Sequence, residues 1–295
     1  MVGTTNRITL HNHLNRIPRS IRAILEFTLA KTHLFHNMLD SLFYRHLTFR
    51  RLNSAKRIVA SSGWSDSALT DTTKISEAEL AIKNLKLRHL YDHPAKVWDG
   101  YHFFSYIITH LSTSAKILDM GSGPHANVLD WLQLYGYHEL WATDLVIQKR
   151  IRLGSIEYVG EDLLHTHYPD LSFDCIICQS VIEHNIDFDL FFREVRRILK
   201  SGGFLLVSTD YWPEKIDTIG LTMYGRPWSI FSKEEITVFA QRAQLYGLSL
   251  KEPLNLQAKH RIIDVFGKEY TFISLTFQKL SDQILTQEPP RVFEA

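Results

Sequence analysis

Three residues in one short segment carry the strongest chemical signal of the chain: Asp119, Gly121 and Gly123, within AKILDMGSGPHAN at 115–127. An apolar strand is predicted to end at Asp119, and the two glycines then let the backbone turn sharply and approach a ligand closely. A helix that begins directly after such a loop offers its N–H groups to a polar group. The segment predicts a nucleotide-cofactor loop, with a tight turn in an unrelated α/β protein as the alternative.

The acidic residue before this loop distinguishes between two kinds of cofactor. The letters GSGPHA also fit the dinucleotide pattern G-x-G-x-x-G/A, with Ala126 in the third position. A carboxylate at Asp119 would, however, repel a pyrophosphate and attract a cation. S-adenosylmethionine carries both a sulfonium and an ammonium group, so this residue favours it over NAD.

A second set of chemically active residues, Glu183 and His184, follows a predicted strand at 173–178. Open parallel sheets place their chemistry at the carboxyl ends of strands, and histidine is well suited to accept a hydroxyl proton near neutral pH. His184 is therefore a candidate proton acceptor, or alternatively a residue that shapes the pocket. Asp210 is the second catalytic candidate, together with Tyr211. Magnesium binding by Glu183, His184 and Asp210 is only weakly supported by their spacing, and no metal is predicted.

From Ala115 onward, apolar segments alternate with helical patterns, which is typical of a parallel sheet with crossover helices. Strands are predicted at 116–118, 139–143, 156–159, 173–178 and 204–209, with late candidates near 248–251 and 270–277. Helices are predicted at 125–135 and 187–200, and Gly202 with Gly203 is expected to end the second. Ser232 and Glu235 form a capping box that begins another helix. The predicted fold class is α/β, with a doubly wound, mostly parallel, seven-stranded Rossmann-like sheet.

The first sixty residues are strongly basic, with ten Lys and Arg against two acidic residues, although the 295-residue chain has a net charge of only +1. Apolar residues at helical spacing in 18–52, 76–91 and 99–111 predict a helical N-terminal extension. Three parts are expected. They are a basic helical accessory or lid region at 1–98, a cofactor-binding domain at 99–282 and a polar tail at 283–295.

Composition restricts the class of protein. A hydrophobic content of 45% allows one large core, and no apolar run reaches the roughly 18 residues that span a bilayer. Cys175 and Cys178 form C-x-x-C on a predicted strand, so we expect buried core thiols rather than a redox pair. This cysteine usage favours the reducing cytoplasm. An organellar leader in the Arg-rich, acid-poor first twenty residues is the alternative.

Over roughly 101–280 the chain resembles the class I S-adenosylmethionine-dependent methyltransferases, in a branch acting on small molecules or glycans. ILDMGSG at 117–123 matches the first motif of that family. SVIEHNIDFDLFFREVRRILKSGGFLLVST at 180–209 matches its later E-H, leucine-rich helix, L-K-x-G-G and fifth-strand pattern. His125 departs from the pattern, because many members carry a third glycine there. The resemblance implies an enzyme that uses S-adenosylmethionine as its cofactor.

The resemblance also implies roles for the residues around the first two strands. Asp119, Gly121 and Gly123 would hold the methionine portion of the cofactor. Asp144 ends the second predicted strand, where its carboxylate would accept both ribose hydroxyls, at the interval of about 20 residues expected for a ribose acid. An ordinary helix N-cap is the alternative for Asp144.

Further along the sheet, the resemblance implies contacts to the adenine and to the pocket wall. Asp162 with Leu163 resembles the adenine-binding pair, in which a carboxylate accepts from the amine and an apolar side chain covers the ring. Glu161 is the rival carboxylate for that role. Ser180 would line the cofactor pocket, or serve only as a turn residue.

The reaction implied is an in-line transfer of the sulfonium methyl group to a hydroxyl of a small molecule, sugar or glycan precursor. An RNA or protein methyltransferase that uses the basic arm is one alternative, although no N-P-P-Y tetrapeptide follows the fourth strand. A non-catalytic cofactor-binding protein is another. An aromatic-rich loop could line the acceptor site or form a small hydrophobic core, and its members are Tyr211, Trp212, Tyr224, Trp228 and Phe231.

Overall fold

The computed structural model describes residues 52–60, 66–89, 91, 93–123 and 126–281. The helices are α1 (Leu52–Ala60), α2 (Thr72–Asn84), α3 (Lys96–His110), α4 (Asn127–Leu134), α5 (Phe188–Ile198) and α6 (Lys233–Leu245). The first strands are β1 (Ser67–Ala68), β2 (Lys116–Met120), β3 (Glu139–Thr143), β4 (Ile151–Leu153), β5 (Ile156–Val159) and β6 (Phe173–Gln179). The later strands are β7 (Leu199–Tyr211), β8 (Thr222–Met223), β9 (Arg226–Pro227), β10 (Leu248–Leu250), β11 (Ile263–Val265) and β12 (Lys268–Lys279).

The main sheet has the strand order β1, β12, β7, β6, β2, β3, β5, β4. Strands β5, β3, β2, β6 and β7 are joined by parallel pairs. Strand β12 runs antiparallel to β7, and β10 pairs with β12. These seven strands form the predicted mostly parallel sheet, and the short strands β1, β4 and β11 extend it.

Helices cover both faces of this sheet. One hydrophobic cluster joins α1 to α4 with one face, and Cys175 is among its sheet residues. The other cluster joins α5 and α6 with the opposite face and includes Cys178. Because side chains three positions apart on a strand point to opposite faces, the two free, fully buried cysteines lie in different cores. The doubly wound α/β fold and the core thiols are both confirmed.

Some predicted boundaries were wrong by a few residues. Strand β2 continues to Met120, so Asp119 lies inside the strand and pairs with Ala142 and Ile177. Strand β7 runs to Tyr211, so Asp210 belongs to the strand instead of following it. Helix α4 begins at Asn127, and the predicted start at His125 lies outside the described residues.

The helix before β7 also ends earlier than the glycine pair suggested. Helix α5 ends at Ile198, and Gly202 lies within β7 with φ +77°. The pairing of β6 with β7 shifts register between Phe173 and Cys175. The left-handed Gly202 therefore lies in an irregular region at the start of β7, and it does not end a helix.

The N-terminal third is partly integrated into the sheet. Helix α3 spans the expected division between residues 98 and 99, and β1 pairs with β12 at the sheet edge. Ala55 and Val59 of α1 are buried in the core. The helices predicted within 18–51 and the tail at 283–295 lie outside the described residues. Among the described helices, none is both long and apolar enough to cross a membrane.

Candidate active site

The carboxyl ends of five neighbouring parallel strands bring the predicted site residues to one edge of the sheet. In the order β5, β3, β2, β6, β7, these ends carry Asp162, Asp144, the glycine loop, Ser180 to His184, and Asp210. From β2 the chain continues to β3 and β5 on one side, and then crosses from β5 to β6 on the other side of β2. Open α/β sheets form a ligand crevice at such a reversal of strand order.

The glycine loop is held tightly against the next strand. Gly121 and Ser122 donate backbone hydrogen bonds to the Thr143 carbonyl oxygen, at 2.7 and 3.1 Å. Gly121 has φ +74°, and a Cβ added there would lie 2.6 Å from Cγ2 of Val181. Gly123 has φ +60°, and a Cβ there would have no heavy atom within 4 Å. The first glycine is needed for packing against the β6 loop, whereas the second faces open space.

Asp119 is a buried carboxylate that the protein leaves incompletely satisfied. Its side chain is 3% exposed, and Oδ1 has no hydrogen-bond partner among the described residues. Burial, followed by the charge of Asp144, raises the pKa of Asp119 to about 8. A buried acceptor without a partner is costly, so this position is suited to a ligand that brings a donor or a positive charge.

The Asp144 carboxylate connects the loop after β2 with the loop after β3. Its Oδ2 accepts a hydrogen bond from the Gly123 N–H at 3.0 Å, and Oδ1 accepts one from the Val146 N–H at 3.0 Å. Each carboxylate oxygen has a second lone pair. The local turn contact and a ligand contact are therefore compatible at Asp144.

The two carboxylates after β5 differ in how much of their bonding capacity the fold uses. Oε2 of Glu161 accepts from the backbone N–H of His167 at 3.3 Å and lies 2.9 Å from its Nδ1. Asp162 is exposed and accepts one local hydrogen bond, from the Leu164 N–H at 2.9 Å. Leu163 is partly buried against the neighbouring core. This geometry favours Asp162 over Glu161 for an outward contact.

Sequence reasoning missed two residues of α3, Lys96 and Asp99, which reach the ends of β6 and β7. Asp99 is fully buried and accepts hydrogen bonds from Gln179 at 2.8 Å and from Ser208 at 2.6 Å. The Lys96 ammonium lies 3.0 Å from Asp99 and donates to Oγ of Ser180. The only sequence signal was a Lys and an Asp at helical spacing, which is common on solvated helix faces.

Ser180 and the residues after it form a strained turn at the end of β6. Ser180 has φ +54° and Asn185 has φ +52°, which is unusual for residues other than glycine. Glu183 is 2% exposed and accepts from the Thr209 hydroxyl at 3.0 Å. Burial raises the pKa of Glu183, although the Lys96 charge opposes this.

His184 presents an imidazole without a protein partner on one nitrogen. Its Nδ1 is buried, with no hydrogen-bond partner among the described residues. Burial lowers the pKa of His184, and the Asp210 carboxylate acts in the opposite direction. The ring is therefore neutral at pH 7 and able to accept a proton.

Asp210 lies deeper than the sequence suggested. It is 4% exposed, and Oδ2 accepts a hydrogen bond from Nε1 of Trp228 at 2.7 Å. Burial raises the pKa of Asp210, with Glu183 adding to the effect. Tyr211 is fully buried and donates to the Leu256 carbonyl oxygen at 2.5 Å. These contacts indicate a structural role for Tyr211. Any contact of Asp210 with an acceptor must be made beside the Trp228 indole that it binds.

The aromatic loop divides into buried and exposed members. Trp228 is 1% exposed within a small core that also contains Tyr270 and Phe272. Phe231 packs with the α5 and α6 side of the sheet. Tyr224, in contrast, is 79% exposed and lies edge-on to His184, with ring centroids 5.5 Å apart. No group of three or more His, Cys, Asp or Glu side chains suited to a metal ion occurs in the described part of the chain.

Comparison with known proteins agrees with this architecture. Residues 118–207 match the family model described as Methyltransferase domain. No curated protein sequence matches the chain. Among solved structures, YcgJ of Bacillus subtilis is similar at 15% identity, with 62% of this chain and 98% of that chain covered and a TM-score of 0.44.

Two further solved structures are similar over comparable parts of the chain. An S-adenosylmethionine-dependent methyltransferase of Mesorhizobium loti has 16% identity, covering 62% of this chain and 98% of that one, with a TM-score of 0.43. The 1,6-didemethyltoxoflavin-N1-methyltransferase of Burkholderia thailandensis has 13% identity, covering 62% and 79%, with a TM-score of 0.45.

The doubly wound sheet, the glycine loop after β2 and the match of residues 118–207 to a methyltransferase domain agree with an S-adenosylmethionine-dependent methyltransferase. The matched segment runs from within β2 to within β7 and so includes the loops at the ends of β2, β3, β5 and β6. The sequence-based predictions of fold class, enzyme class and cofactor are confirmed.

Proposed function

We propose that this enzyme methylates a hydroxyl oxygen of a small molecule, a class that includes sugars and glycan precursors. The observation that carries the proposal is His184, a neutral imidazole at the carboxyl end of β6 whose buried Nδ1 has no hydrogen-bond partner among the residues that the structure describes. Strand β6 directly neighbours β2, whose glycine loop begins the cofactor crevice. A base at that position suits an acceptor whose proton must leave as the new bond forms.

The residues around β2, β3 and β5 fit the cofactor in the proposed arrangement. Asp119 would receive the cationic methionine portion, because its unpartnered carboxylate gains a positive charge there. Gly121 and Gly123 would provide the close backbone approach. Asp144 would accept the ribose hydroxyls on its remaining lone pairs, and Asp162 with Leu163 would contact the adenine. Ser180 would separate the cofactor side from the acceptor side.

When bound, the cofactor would supply a sulfonium methyl group to the acceptor oxygen and would be left as the neutral thioether. His184 would take the hydroxyl proton and become an imidazolium. Asp210 would stabilise that imidazolium, because the two groups already interact electrostatically. Alignment of the acceptor by the pocket would supply much of the remaining rate acceleration.

Two experiments test this proposal. Calorimetry above pH 8, where the Asp119 carboxyl is ionised, should show micromolar binding of S-adenosylhomocysteine and none of NAD, since that charge repels a pyrophosphate; comparable NAD binding would contradict the cofactor assignment. Incubation with methyl-labelled S-adenosylmethionine and a fractionated cell extract should place the label in the small-molecule or glycan fraction. Label in RNA or protein would favour the alternative acceptors, and no label despite cofactor binding would favour a non-catalytic protein.

A further inference from the structure

Two β-hairpins near His184 and Asp210 each present an aromatic residue at the tip. Strands β8 and β9 are joined by Tyr224 and Gly225, with φ +53° and +77°. Strands β11 and β12 are joined by Phe266 and Gly267, with φ +55° and +71°. Both connections are two-residue turns with positive φ at both positions, which is the type I′ geometry.

The aromatic residues are unfavourable choices for these turns. The first position of a type I′ turn favours Asn, Asp or Gly, because a bulky side chain is strained at positive φ. Burial does not explain the choice either, since Tyr224 is 79% exposed and Phe266 is 61% exposed. Backbone strain of this kind persists where function requires it, so the exposed rings call for a functional explanation.

Each aromatic tip lies near one of the two candidate catalytic residues, His184 or Asp210. The Tyr224 ring lies edge-on to His184, with centroids 5.5 Å apart and planes at 85°. The Phe266 ring lies edge-on to Trp228, at 6.0 Å and 70°. The Trp228 indole in turn donates to Asp210. One exposed ring therefore contacts the candidate base, and the other contacts the indole that binds Asp210. We refer to these residues together as the acceptor-side wall.

Positive φ at residues other than glycine is concentrated around this wall. Six described residues have it, and four belong to the acceptor side, namely Ser180, Asn185, Tyr224 and Phe266. The other two, Lys86 and Leu171, lie elsewhere in the fold. This distribution is what a preorganised binding site would produce.

We propose that Tyr224 and Phe266 are acceptor-binding residues that hold a phenolic ring at the mouth of the active site. Aromatic rings bind flat apolar ring faces by stacking and edge-to-face contact. A neutral imidazole accepts the proton of a phenol more readily than that of an alcohol, because the phenol is the stronger acid. A phenol has a pKa of about 10, whereas an aliphatic hydroxyl resembles water near 15.7. The inference rests on the proposed O-methylation and narrows its acceptor class.

The charged groups facing His184 agree with a neutral phenolic ligand. They are Asp210 on β7, Arg226 on β9 and Lys96 on α3, with Glu183 on the same loop acting on Asp210. Positive and negative groups are both present. The surroundings of His184 therefore do not select a strongly charged acceptor, and ring contacts become the main source of affinity.

The test uses Tyr224→Asn and Phe266→Asn in the full chain, with Leu171→Asn as the matched control. Asn is well tolerated at positive φ, so both hairpins should remain folded and the thermal midpoints should stay equal or rise. Leu171 has φ +55° and is 48% exposed, and it precedes β6 at the opposite end of that strand from His184. The control therefore makes the same backbone change away from the site.

Ligand binding is measured on protein saturated with S-adenosylhomocysteine, by saturation-transfer NMR with phenol, catechol and 4-hydroxybenzoate, and separately with glucose and myo-inositol. We expect the wild type and Leu171→Asn to bind the phenols, and each tip variant to bind them roughly two- to tenfold more weakly. S-adenosylhomocysteine affinity should be the same in all four proteins.

Three results would overturn the inference. They are binding of the sugars in preference to the phenols, binding of no phenol at all, and equal phenol binding by the tip variants. A loss of thermal stability in both tip variants would instead assign the rings to folding. Failure of the wild type to bind S-adenosylhomocysteine would contradict the proposed function itself, and that measurement precedes the phenol titrations.

Discussion

At the residue scale, the role proposed for Asp119 predicts a link between cofactor binding and pH. In the cofactor-free protein its pKa is about 8, so the carboxyl is mostly protonated at pH 7. A cation binds the ionised form, which means that cofactor binding must release a proton below pH 8. We expect the affinity for S-adenosylmethionine to rise roughly tenfold between pH 6.5 and 8.

Asp119→Asn should bind the cofactor more weakly and lose this pH dependence, because the amide does not titrate. Asp174→Asn is a suitable control, since Asp174 pairs with Lys200 near the opposite end of the sheet. Calorimetry in buffers of different ionisation enthalpy measures the released proton directly. A pH-independent affinity of the wild type, without proton release, would show that Asp119 is not the cationic subsite.

His184 is the second residue whose role can be isolated. If it accepts the hydroxyl proton, His184→Ala and His184→Gln should keep cofactor affinity and lower kcat by roughly 10²- to 10⁴-fold. The wild-type rate should fall only as pH drops below the ordinary histidine range, because burial lowers the pKa of the ring. Near-normal kcat in both variants would leave Asp210 or positioning alone as the source of catalysis.

The measurement is steady-state transfer of labelled methyl into the acceptor fraction, across pH 5 to 9. His138→Ala provides the control, because His138 is exposed just before β3, away from the carboxyl edge. A histidine that only shapes the pocket would give a modest rise in acceptor KM and an unchanged pH profile.

At the element scale, the loop after β2 depends on a glycine for two separable reasons. Gly121 requires φ +74° and leaves no space for a Cβ beside Val181. Gly202 has nearly the same φ, +77°, with no heavy atom within 4 Å of an added Cβ. Both Ala variants should therefore lose about 1 to 2 kcal/mol of stability from the left-handed backbone. Only Gly121→Ala should also displace the loops that follow β2 and β6, because its new Cβ meets Val181.

We expect Gly121→Ala to weaken S-adenosylhomocysteine binding at least tenfold, as measured by calorimetry, and Gly202→Ala to leave it unchanged. Adding Val181→Ala to Gly121→Ala should recover part of the affinity, because it removes the side chain that the new Cβ meets. Equal affinities for the two single variants would mean that contact with Val181 does not set the loop geometry.

At the scale of the whole molecule, buried acids make the cofactor-free fold sensitive to rising pH. Burial raises the pKa values of Asp66, Asp119, Glu183 and Asp210 above those of the unfolded chain. The folded state consequently binds more protons, and its stability falls as these groups ionise. Below pH 6.5, His102 acts oppositely, because burial lowers its pKa to about 4.

Between pH 7.5 and 8.5 the histidines of the unfolded chain are almost all neutral, so the acids dominate and the free energy of unfolding should fall with rising pH. Urea unfolding followed by circular dichroism at pH 7.5, 8 and 8.5 measures the change. Asp119→Asn should show a smaller decline, because one of the titrating groups is removed. A midpoint that stays constant or rises in the wild type would contradict the assigned burial of these carboxyls.

The sequence by itself determined the fold class and the cofactor. Alternating apolar strands and amphipathic helices require a layered sheet wherever they fold, and ILDMGSG fixes the loop after its first strand. Asp119, Asp144, Asp162 and His184 were predicted as site residues because each lies near the carboxyl end of a strand. Their positions depend on local spacing along the chain, which the sequence carries directly.

Tertiary structure alone decided which side chains meet around the candidate catalytic residues. Lys96 and Asp99 meet Ser180 and Ser208 across more than 80 residues, a separation at which no sequence spacing indicates contact. Sequence reasoning placed Asp210 beyond its strand. In the structure β7 continues through Asp210, because it pairs with β12 there. Only the structure shows that Trp228 is buried and Tyr224 exposed, since an aromatic side chain lies in a core or on a surface according to which elements cover it.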